Sequence, residues 1–234
     1  MITQYLLPDS AEAAVAELAD DVAVMGGGTT VMPSVHVGEL DASRVVGLAR
    51  AGLAGVERSG GRTTLGAMTP LAALDGALAA PARAVGGPAL RNMATVGGNV
   101  VLGGDVAVAL LALDAEVELS SRTLPIERFW AEFRPGEEIV VGVSFDDDPS
   151  SVFVRWARRA ANSPVVVSVA VSGGRVALGG VAPHPVRSPG AEAGDPAAAA
   201  AEIDPPTDAI ASAWYRRRMT ELFVRRALEA RDAV

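Results

Sequence analysis

The sequence contains no cysteine and no lysine, since all 20 of its basic residues are arginine. Without cysteine the chain can form no disulfide, has no thiolate nucleophile and cannot hold a cysteine-ligated iron–sulfur cluster. Without lysine it has neither the phosphate-binding lysine of a P-loop nor the Schiff-base lysine of a pyridoxal enzyme. These absences indicate that any redox chemistry in this chain comes from an organic cofactor.

Histidine and the aromatic residues are scarce as well. His36 and His184 are the only histidines, and neither has other candidate ligands nearby in the sequence, so we predict no metal site. Aromatic residues make up 4% of the chain while hydrophobic residues make up 50%, which favours a globular protein with a core of small aliphatic side chains.

The charge of the chain argues against several partners. Its formal net charge of −8 would repel the phosphate backbone of a nucleic acid, so we expect no nucleic-acid partner. No apolar run is long enough for a membrane-spanning helix, and the first residues lack the basic-then-apolar pattern of a signal peptide. We therefore expect a cytoplasmic protein without membrane insertion.

Breaks in the pattern divide the chain into three predicted segments, residues 1–55, 56–148 and 149–234. The last segment has strands in a row followed by a helix, which is typical of an α+β domain. The predicted helices, with caps at Ser10, Thr69, Asp105 and Asp208, are residues 9–20, 70–79, 105–113 and 208–231. The predicted strands are residues 22–25, 115–119, 139–145, 152–156, 165–171 and 175–181.

Two glycine-rich turns are the main candidates for a binding site. The first, Gly26–Thr30, directly follows an apolar strand, and the second contains Gly97 and Gly98. Consecutive glycines allow backbone N–H groups to converge on an anion, and neighbouring Thr and Asn side chains add donors. Two such turns could hold the two phosphates of one dinucleotide. The alternative is that each is only a chain reversal.

A Rossmann fingerprint is a weaker interpretation of the first turn. Gly26 and Gly28 match the first two glycines of G-x-G-x-x-G, but the third position is Val31. Pro33 would then lie in the helix that must follow, where proline fits the first turn but disrupts an interior one.

A longer pattern extends across the second turn. Residues 90–99, Leu-Arg-Asn-Met-Ala-Thr-Val-Gly-Gly-Asn, are followed by Asp105 and by residues 110–115, Leu-Leu-Ala-Leu-Asp-Ala. This pattern closely resembles the FAD-binding subunits of the molybdenum hydroxylases, which include the medium subunits of carbon monoxide dehydrogenase and xanthine dehydrogenase relatives. The first turn resembles that family's A-G-G-T-D-L loop. Further similarity at residues 153–159 and 178–183 extends the resemblance over nearly the whole chain.

The resemblance implies a PCMH-type FAD-binding fold, with two α+β subdomains over residues 1–55 and 56–148 and a small C-terminal α+β domain over residues 149–234. It implies FAD as the cofactor, with Asp105 on the FAD ribose and Arg158 near the flavin. The alternatives are that Asp105 is only a helix N-cap and that Arg158 is a solvated strand end. The remaining predicted cofactor-binding residues are Met25, Gly26, Gly27, Gly28, Thr29, Thr30, Val31, Ala94, Thr95, Gly97, Gly98 and Asn99.

The sequence departs from the family pattern in three places. Thr30 replaces the usual acidic or amide residue, although its hydroxyl can still donate a hydrogen bond. Only residues 100–104 separate Asn99 from Asp105, where the family has a longer loop, and residues 128–138 are contracted. These departures leave open a relative with weakened FAD binding.

By resemblance, the chain passes electrons through FAD and has no catalytic residue of its own. The expected partners are an iron–sulfur small subunit and a molybdopterin-containing large subunit, and the expected acceptor is NAD⁺, oxygen or another molecule. The lack of cysteine agrees with this division, since the clusters then lie on another chain. Two alternatives stay open: a stand-alone flavin oxidoreductase of the same fold, and a non-catalytic scaffold that has lost FAD.

Overall fold

The computed structural model describes residues 2–159 and 163–233. Met1, residues 160–162 and Val234, which belong to the first and third predicted segments, lie outside the described residues. The contacts within the chain define two compact units. Unit 1 comprises Met1–Ala73, Pro88–Gly98 and Glu116–Ser144, and unit 2 comprises Leu74–Gly87, Asn99–Ala115 and Phe145–Val234.

Unit 1 contains a parallel three-stranded sheet. The sheet has the order β1-β3-β2, and helices connect the successive strands. Ser10 accepts a hydrogen bond from the N–H of Ala13 at 3.1 Å, which confirms it as the cap of the first helix. The elements are β1 (Gln4–Leu6), α1 (Ala11–Ala16), β2 (Val22–Met25), α2 (Val31–His36) and β3 (Arg44–Gly47).

A second sheet has five strands in the order β4-β5-β8-β6-β7. Its strands are β4 (Val56–Ser59), β5 (Arg62–Gly66), β6 (Glu116–Leu119), β7 (Thr123–Pro125) and β8 (Val140–Asp146). The breakers Pro125, Pro135 and Gly136 predict irregular structure over residues 121–138, but helix α7 (Ile126–Glu132) follows β7, so that prediction is wrong. Burial of Phe129, which stacks on Phe133 at 4.8 Å between ring centroids, stabilises this helix.

The prediction of a helix over residues 70–79 is also wrong. Thr69 is buried, accepts a hydrogen bond from the Gly55 N–H at 3.1 Å and donates one to the Gly55 carbonyl at 2.8 Å, so it cannot cap a helix. Pro70 instead forms an isolated bridge with Thr95. Short 3-10 turns follow, and the second glycine-rich region is largely helical. Its helices are α3 (Ala79–Ala84), α4 (Pro88–Met93) and α5 (Val96–Val101).

Unit 2 contains an antiparallel sheet with the order β12-β11-β10-β9. A two-residue turn joins β10 to β11, and Gly173 and Gly174 adopt φ angles of 51° and 83°, the left-handed conformation that this hairpin requires. The predicted hairpin at residues 172–174 is therefore confirmed. The strands are β9 (Val152–Ala157), β10 (Val165–Ser172), β11 (Arg175–Gly179) and β12 (Val186–Arg187).

Four further helices belong to unit 2 among the described residues: α6 (Asp105–Ala112), α8 (Pro189–Glu192), α9 (Pro196–Ala201) and α10 (Ala213–Asp232). All of α6 is buried. Helix α10 begins after Ser212 rather than at Asp208, because the Asp208 side chain accepts the N–H groups of a preceding turn. The apolar pattern of the sequence places Trp214 and Phe223 roughly on one face of this helix, but Trp214 is 72% exposed and Phe223 is buried.

The observed mixture of helices and sheets confirms the α+β class. The three sheets span residues 4–47, 56–146 and 152–187, so each lies within one predicted segment. The division of the chain into three domains stays a prediction. No helix among the described residues is both long and apolar enough to cross a membrane.

Candidate functional site

The first glycine-rich turn is an open loop between β2 and α2 in unit 1. The Met25 carbonyl accepts the N–H of Leu48 at 2.9 Å, which joins the end of β2 to the residue that follows β3. Gly28 then adopts a φ of 71°, a left-handed conformation that costs glycine little and that lets the chain reverse into α2. Gly28 also accepts the N–H of Met32 through its carbonyl group.

This loop presents unused hydrogen-bond donors. The hydrogen bonds of the described residues provide no acceptor for the amide N–H groups of Gly27, Gly28, Thr29 and Thr30. Thr30 is the N-cap of α2, yet its hydroxyl makes no capping hydrogen bond. Successive free N–H groups in a reversing loop form a concave donor set of the kind that binds an anion.

The loop packs closely against the second glycine-rich region of unit 1. A β-carbon added to Gly27 would lie 1.6 Å from the carbonyl oxygen of Met93, and one added to Gly26 would lie 2.8 Å from the Thr95 hydroxyl oxygen. No side chain fits at Gly27 without displacing backbone. The structure therefore brings Gly26 and Gly27 together with Met93, Ala94 and Thr95, as a site shared by both turns requires.

The second region uses its own donors differently. Val96 donates its N–H to the Thr69 carbonyl at 3.0 Å, and Gly97 donates to the Ala67 carbonyl at 2.8 Å. Gly98 donates to the Thr95 hydroxyl at 3.3 Å. These N–H groups have acceptors inside the protein, whereas no acceptor for the N–H groups of Gly27–Thr30 lies among the described residues. The second region thus supports the first loop by packing, and direct contact of Gly97 and Gly98 with a cofactor stays a prediction.

Asn99 lies before α6 in unit 2 and binds the first turn of that helix. Its side-chain oxygen accepts the N–H groups of Val106 and Ala107 at 3.0 and 3.2 Å, and its carbonyl accepts the N–H of Gly104 at 2.9 Å. Two donors at the start of a helix are satisfied in this way from outside the helix. The shortness of residues 100–104 therefore has a structural function, since it places Asn99 at the first turn of α6.

Asp105 is the first residue of α6, and Gly104 is its N-cap, so the prediction that Asp105 caps the helix is wrong. Asp105 is 8% exposed, and its carboxylate oxygen lies 2.9 Å from the guanidinium Nε of Arg155 on β9. Burial raises the pKa of Asp105, and the positive charge of Arg155 opposes that rise. Arg155 also donates to the Ser163 carbonyl at 2.6 Å. The contact of Asp105 with a ribose stays a prediction.

Arg158 is exposed at the end of β9, where its guanidinium reaches the Ala209 carbonyl at 3.5 Å. The buried arginine of this stretch is Arg155, which sequence reasoning did not select. An arginine among the valines of a strand can indicate a buried ion pair, but the alternation of side chains does not identify its partner. The contact between Gly27 and Met93 was missed for a similar reason. Where two backbones approach closely, the sequence shows only that one residue is glycine and does not show which residue it contacts.

The geometry suits binding and positioning. The loop of unit 1 offers neutral N–H and hydroxyl donors suited to a phosphate or diphosphate group. Among the described residues, no group of three or more His, Asp or Glu side chains could hold a metal ion.

Comparison with known proteins identifies the family. Residues 1–145 match a family model described as the FAD binding domain in molybdopterin dehydrogenase. A comparison with curated protein sequences gave no match.

Solved structures match nearly the full length of the chain. Carbon monoxide dehydrogenase from Hydrogenophaga pseudoflava matches with a TM-score of 0.89 and 25% identity, over 100% of this chain and 98% of that chain. Reconstituted CO dehydrogenase from Oligotropha carboxidovorans matches with a TM-score of 0.87 and 25% identity, over 98% of this chain and 97% of that chain. Quinoline 2-oxidoreductase from Pseudomonas putida 86 matches with a TM-score of 0.85 and 22% identity, over 98% of this chain and 97% of that chain. The likeness confirms the expected fold.

Proposed function

The chain belongs to the family of FAD-binding domains of molybdopterin dehydrogenases, and on this basis we propose that it is the electron-transferring FAD subunit of a heteromeric molybdenum-hydroxylase-type oxidoreductase. The observation that carries the proposal is the Gly26–Thr30 loop, whose unused N–H donors form a ready-made anion site. FAD, when bound, supplies the chemistry of accepting electrons from one partner and releasing them to another.

The residues of this loop fit the diphosphate of FAD. The N–H groups of Gly27, Gly28, Thr29 and Thr30 are donors without acceptors, and the Thr30 hydroxyl is not used as a cap. Backbone N–H dipoles of this kind can bind a phosphate group without a cationic side chain. The absence of side chains at Gly26 and Gly27 lets the loop pack directly against Met93 and Thr95.

The second region holds this loop in place. Gly26 and Gly27 pack against Met93, Ala94 and Thr95, and the Thr95 hydroxyl oxygen would lie 2.8 Å from a β-carbon on Gly26. We assign these residues to positioning, with direct cofactor contact proposed for Thr95 and Ala94. The neighbours Met25 and Val31 are proposed to flank the bound diphosphate, because each adjoins the open loop.

Residues of unit 2 are proposed to serve the rest of the cofactor. Asp105 and Asn99 both organise the first turn of α6, and the ribose contact proposed for Asp105 would use a carboxylate that Arg155 already orients. Arg158, which is exposed, is the guanidinium proposed to stabilise negative charge on the flavin. None of these groups acts as a general acid or base in the proposal.

The proposed partners rest on the family to which the chain belongs. The chain contains no cysteine, so the iron–sulfur clusters that feed electrons to FAD are proposed to lie on a small partner subunit. A large molybdopterin-containing subunit is proposed to oxidise the substrate. The proposed acceptor is NAD⁺, oxygen or another molecule, and the proposed compartment is the cytoplasm.

Two other functions can be separated from this one by experiment. A stand-alone flavin oxidoreductase would have a native mass of one chain and would turn over without partners. A scaffold that has lost FAD would take up none, and the set of unused donors in the first loop argues against it.

The first test is a visible spectrum of the purified protein, followed by identification of the released cofactor. We expect a flavin spectrum that yields FAD. The Gly27→Ala variant should lose FAD, because its β-carbon would lie 1.6 Å from the Met93 carbonyl oxygen and would push the loop away from the second region. The matched control is Gly38→Asn in the same unit, where no atom lies within 4 Å and asparagine tolerates the positive φ of 74°.

Because Gly27→Ala could also disturb folding, Thr30→Val serves as a second variant. The Thr30 hydroxyl makes no capping bond, so its loss should leave the fold intact and weaken FAD binding about tenfold, the effect of one hydrogen bond to a charged group. A colourless protein that takes up no added FAD would refute the proposed function, and FAD binding unchanged in both variants would refute the assignment of this loop.

A further inference from the structure

Methionines surround the candidate FAD loop. The whole chain has six methionines, and three of them place their side chains against the glycines of this loop. We name Met25, Met32 and Met68 the methionine collar.

The collar lies on both sides of the loop. The Sδ of Met25 and the Cγ of Met32 lie 3.2 and 3.5 Å from the position that a β-carbon on Gly28 would take. The Sδ of Met68 lies 3.6 Å from the corresponding position at Gly26. Met32 is also joined to the loop by its backbone, through the hydrogen bond from its N–H to the Gly28 carbonyl.

Solvent access differs within the collar. Met32 is 50% exposed, while Met25 and Met68 are only partly accessible. In a chain without cysteine, the methionine thioethers are the only sulfur groups that a mild oxidant can attack. Met32 is therefore the collar residue most open to oxidation.

We propose that Met32 is a peroxide-sensitive modification site, and that its oxidation to the sulfoxide releases FAD from the loop. The inference rests on the proposed function, since it assumes that the Gly26–Thr30 loop holds the FAD diphosphate. It adds a form of regulation to that site, in which an oxidant of the peroxide class lowers cofactor occupancy.

The chemical step is a two-electron oxidation of the thioether. The Sδ atom attacks one oxygen of hydrogen peroxide, a sulfur–oxygen bond forms and the O–O bond breaks. The proton on the attacked oxygen passes to the departing hydroxide, which leaves as water. The sulfur is oxidised and the peroxide is reduced. The product is a polar side chain in place of an apolar one.

The sulfoxide acts on the loop through hydrogen bonding. Its oxygen is a strong acceptor, and the Cγ of Met32 lies 3.5 Å from the β-carbon position of Gly28, in the loop whose N–H groups have no acceptor within the described residues. An acceptor on the protein would compete with the diphosphate for these donors. Loss of about one such hydrogen bond corresponds to a tenfold weaker affinity.

Met93 provides the matched comparison. It is 58% exposed, slightly more than Met32, but it meets the loop through its main-chain carbonyl. Its oxidation is therefore expected to proceed at a similar rate with little effect on FAD. Met219, which packs against the core of unit 2, is the protected reference.

The experiment treats the full-length, FAD-loaded protein with hydrogen peroxide and follows both oxidation and retained FAD. Trypsin cleaves this chain only after arginine, so Met68, Met93 and Met219 fall in separate peptides, residues 63–83, 92–122 and 219–225. Met1, Met25 and Met32 share the peptide of residues 1–44, where fragment ions separate them. FAD affinity is measured from the fluorescence of the released cofactor.

We expect Met32 and Met93 to gain oxygen before Met25, Met68 and Met219, and the Kd for FAD to rise about tenfold as Met32 is converted. Met32→Leu, which keeps the apolar volume, should protect FAD binding from peroxide, whereas Met93→Leu should not. Met32→Gln, which places a polar acceptor there without oxidation, should weaken FAD binding about tenfold in untreated protein.

The outcomes distinguish this inference from the proposed function. Protein that binds no FAD before treatment refutes the proposed function and the inference with it. Protein that binds FAD and keeps it after Met32 is fully oxidised refutes the inference alone. Equal loss of FAD in wild type and Met32→Leu also refutes it, because the sensitive group would then lie elsewhere.

Discussion

Arg155→Met is the most informative perturbation of unit 2. Arg155 supplies the positive charge 2.9 Å from the Asp105 carboxylate, and the two side chains are 16% and 8% exposed. Methionine keeps most of the apolar volume of the arginine but removes the guanidinium. The more deeply buried partner, Asp105, is then left at the start of α6 without a counter-charge.

The magnitude follows from the burial of this pair. Removing one partner of a buried ion pair typically costs about 3–5 kcal/mol, because an uncompensated charge stays in a poorly solvated site. Asp105 can escape part of this cost by taking up a proton, so we expect about 3 kcal/mol near neutral pH. The hydrogen bond from Arg155 to the Ser163 carbonyl is lost as well, which adds about 1 kcal/mol.

The pH dependence identifies the cause. Burial raises the pKa of Asp105 above its ordinary value of 3.8, so the folded protein keeps a proton that the unfolded chain has already lost. The stability therefore falls as the pH rises from 3.8 through the raised pKa. Without Arg155 the pKa rises further, so the Asp105 part of the penalty should be largest above this window and absent below 3.8, where both states are protonated.

The assay is urea denaturation followed by tryptophan fluorescence, since Trp156 and Trp214 both lie in unit 2. Arg158→Met is the matched control on the same stretch, because Arg158 is exposed and should change the stability by less than about 0.5 kcal/mol. The double variant Asp105→Asn with Arg155→Met removes the stranded carboxylate, so it should be more stable than Arg155→Met near neutral pH. A penalty that is the same at about pH 4 and pH 8 would refute the reasoning, as would a double variant no more stable than the single one.

Three further predictions concern other contacts. Hydrogen bonds from Arg44 and Ser43 lower the pKa of Asp21 from its ordinary value of 3.8 to about 2. The stabilisation by this contact should therefore be complete at pH values above 3.8 and be lost as the pH falls through about 2. An NMR titration of Asp21 with a midpoint near 3.8 would contradict this prediction. Asn99→Ala should lower the free energy of unfolding, measured by urea denaturation, by about 0.5–2 kcal/mol, because the first turn of α6 loses the side-chain oxygen that accepts two of its N–H groups. Unchanged stability would show that water accepts these N–H groups in place of the side chain. Arg216→Met removes donors to the Asp208 carboxylate and to the carbonyls of Val166 and Gly180, and should cost about 3 kcal/mol in urea denaturation. Arg217→Met should cost less than about 1 kcal/mol, and equal costs would contradict the buried role of Arg216.

The fold was predictable wherever the pattern is local. Alternating or continuous apolar runs correctly predicted the strands at residues 22–25 and 165–171, and the glycine pair at 173–174 predicted its hairpin. Prediction failed where a local signal was overridden. Thr69 and Pro70 look like the start of a helix, but Thr69 is held by Gly55 and Pro70 bridges Thr95, neither of which adjoins it in the sequence.

The family, the cofactor and the pair of glycine-rich regions were determined by the sequence alone, because they depend on residue types in a fixed order along the chain. Only the tertiary structure determined which of the two regions has N–H groups available for a ligand. The N–H groups of Gly97 and Gly98 donate hydrogen bonds within the protein, whereas those of Gly27 and Gly28 have no acceptor among the described residues. This difference depends on which acceptor groups the fold brings near each N–H group. The pairing of Asp105 with Arg155 was likewise decided by the packing of α6 on its sheet, since a buried charge takes the partner that the fold brings to it.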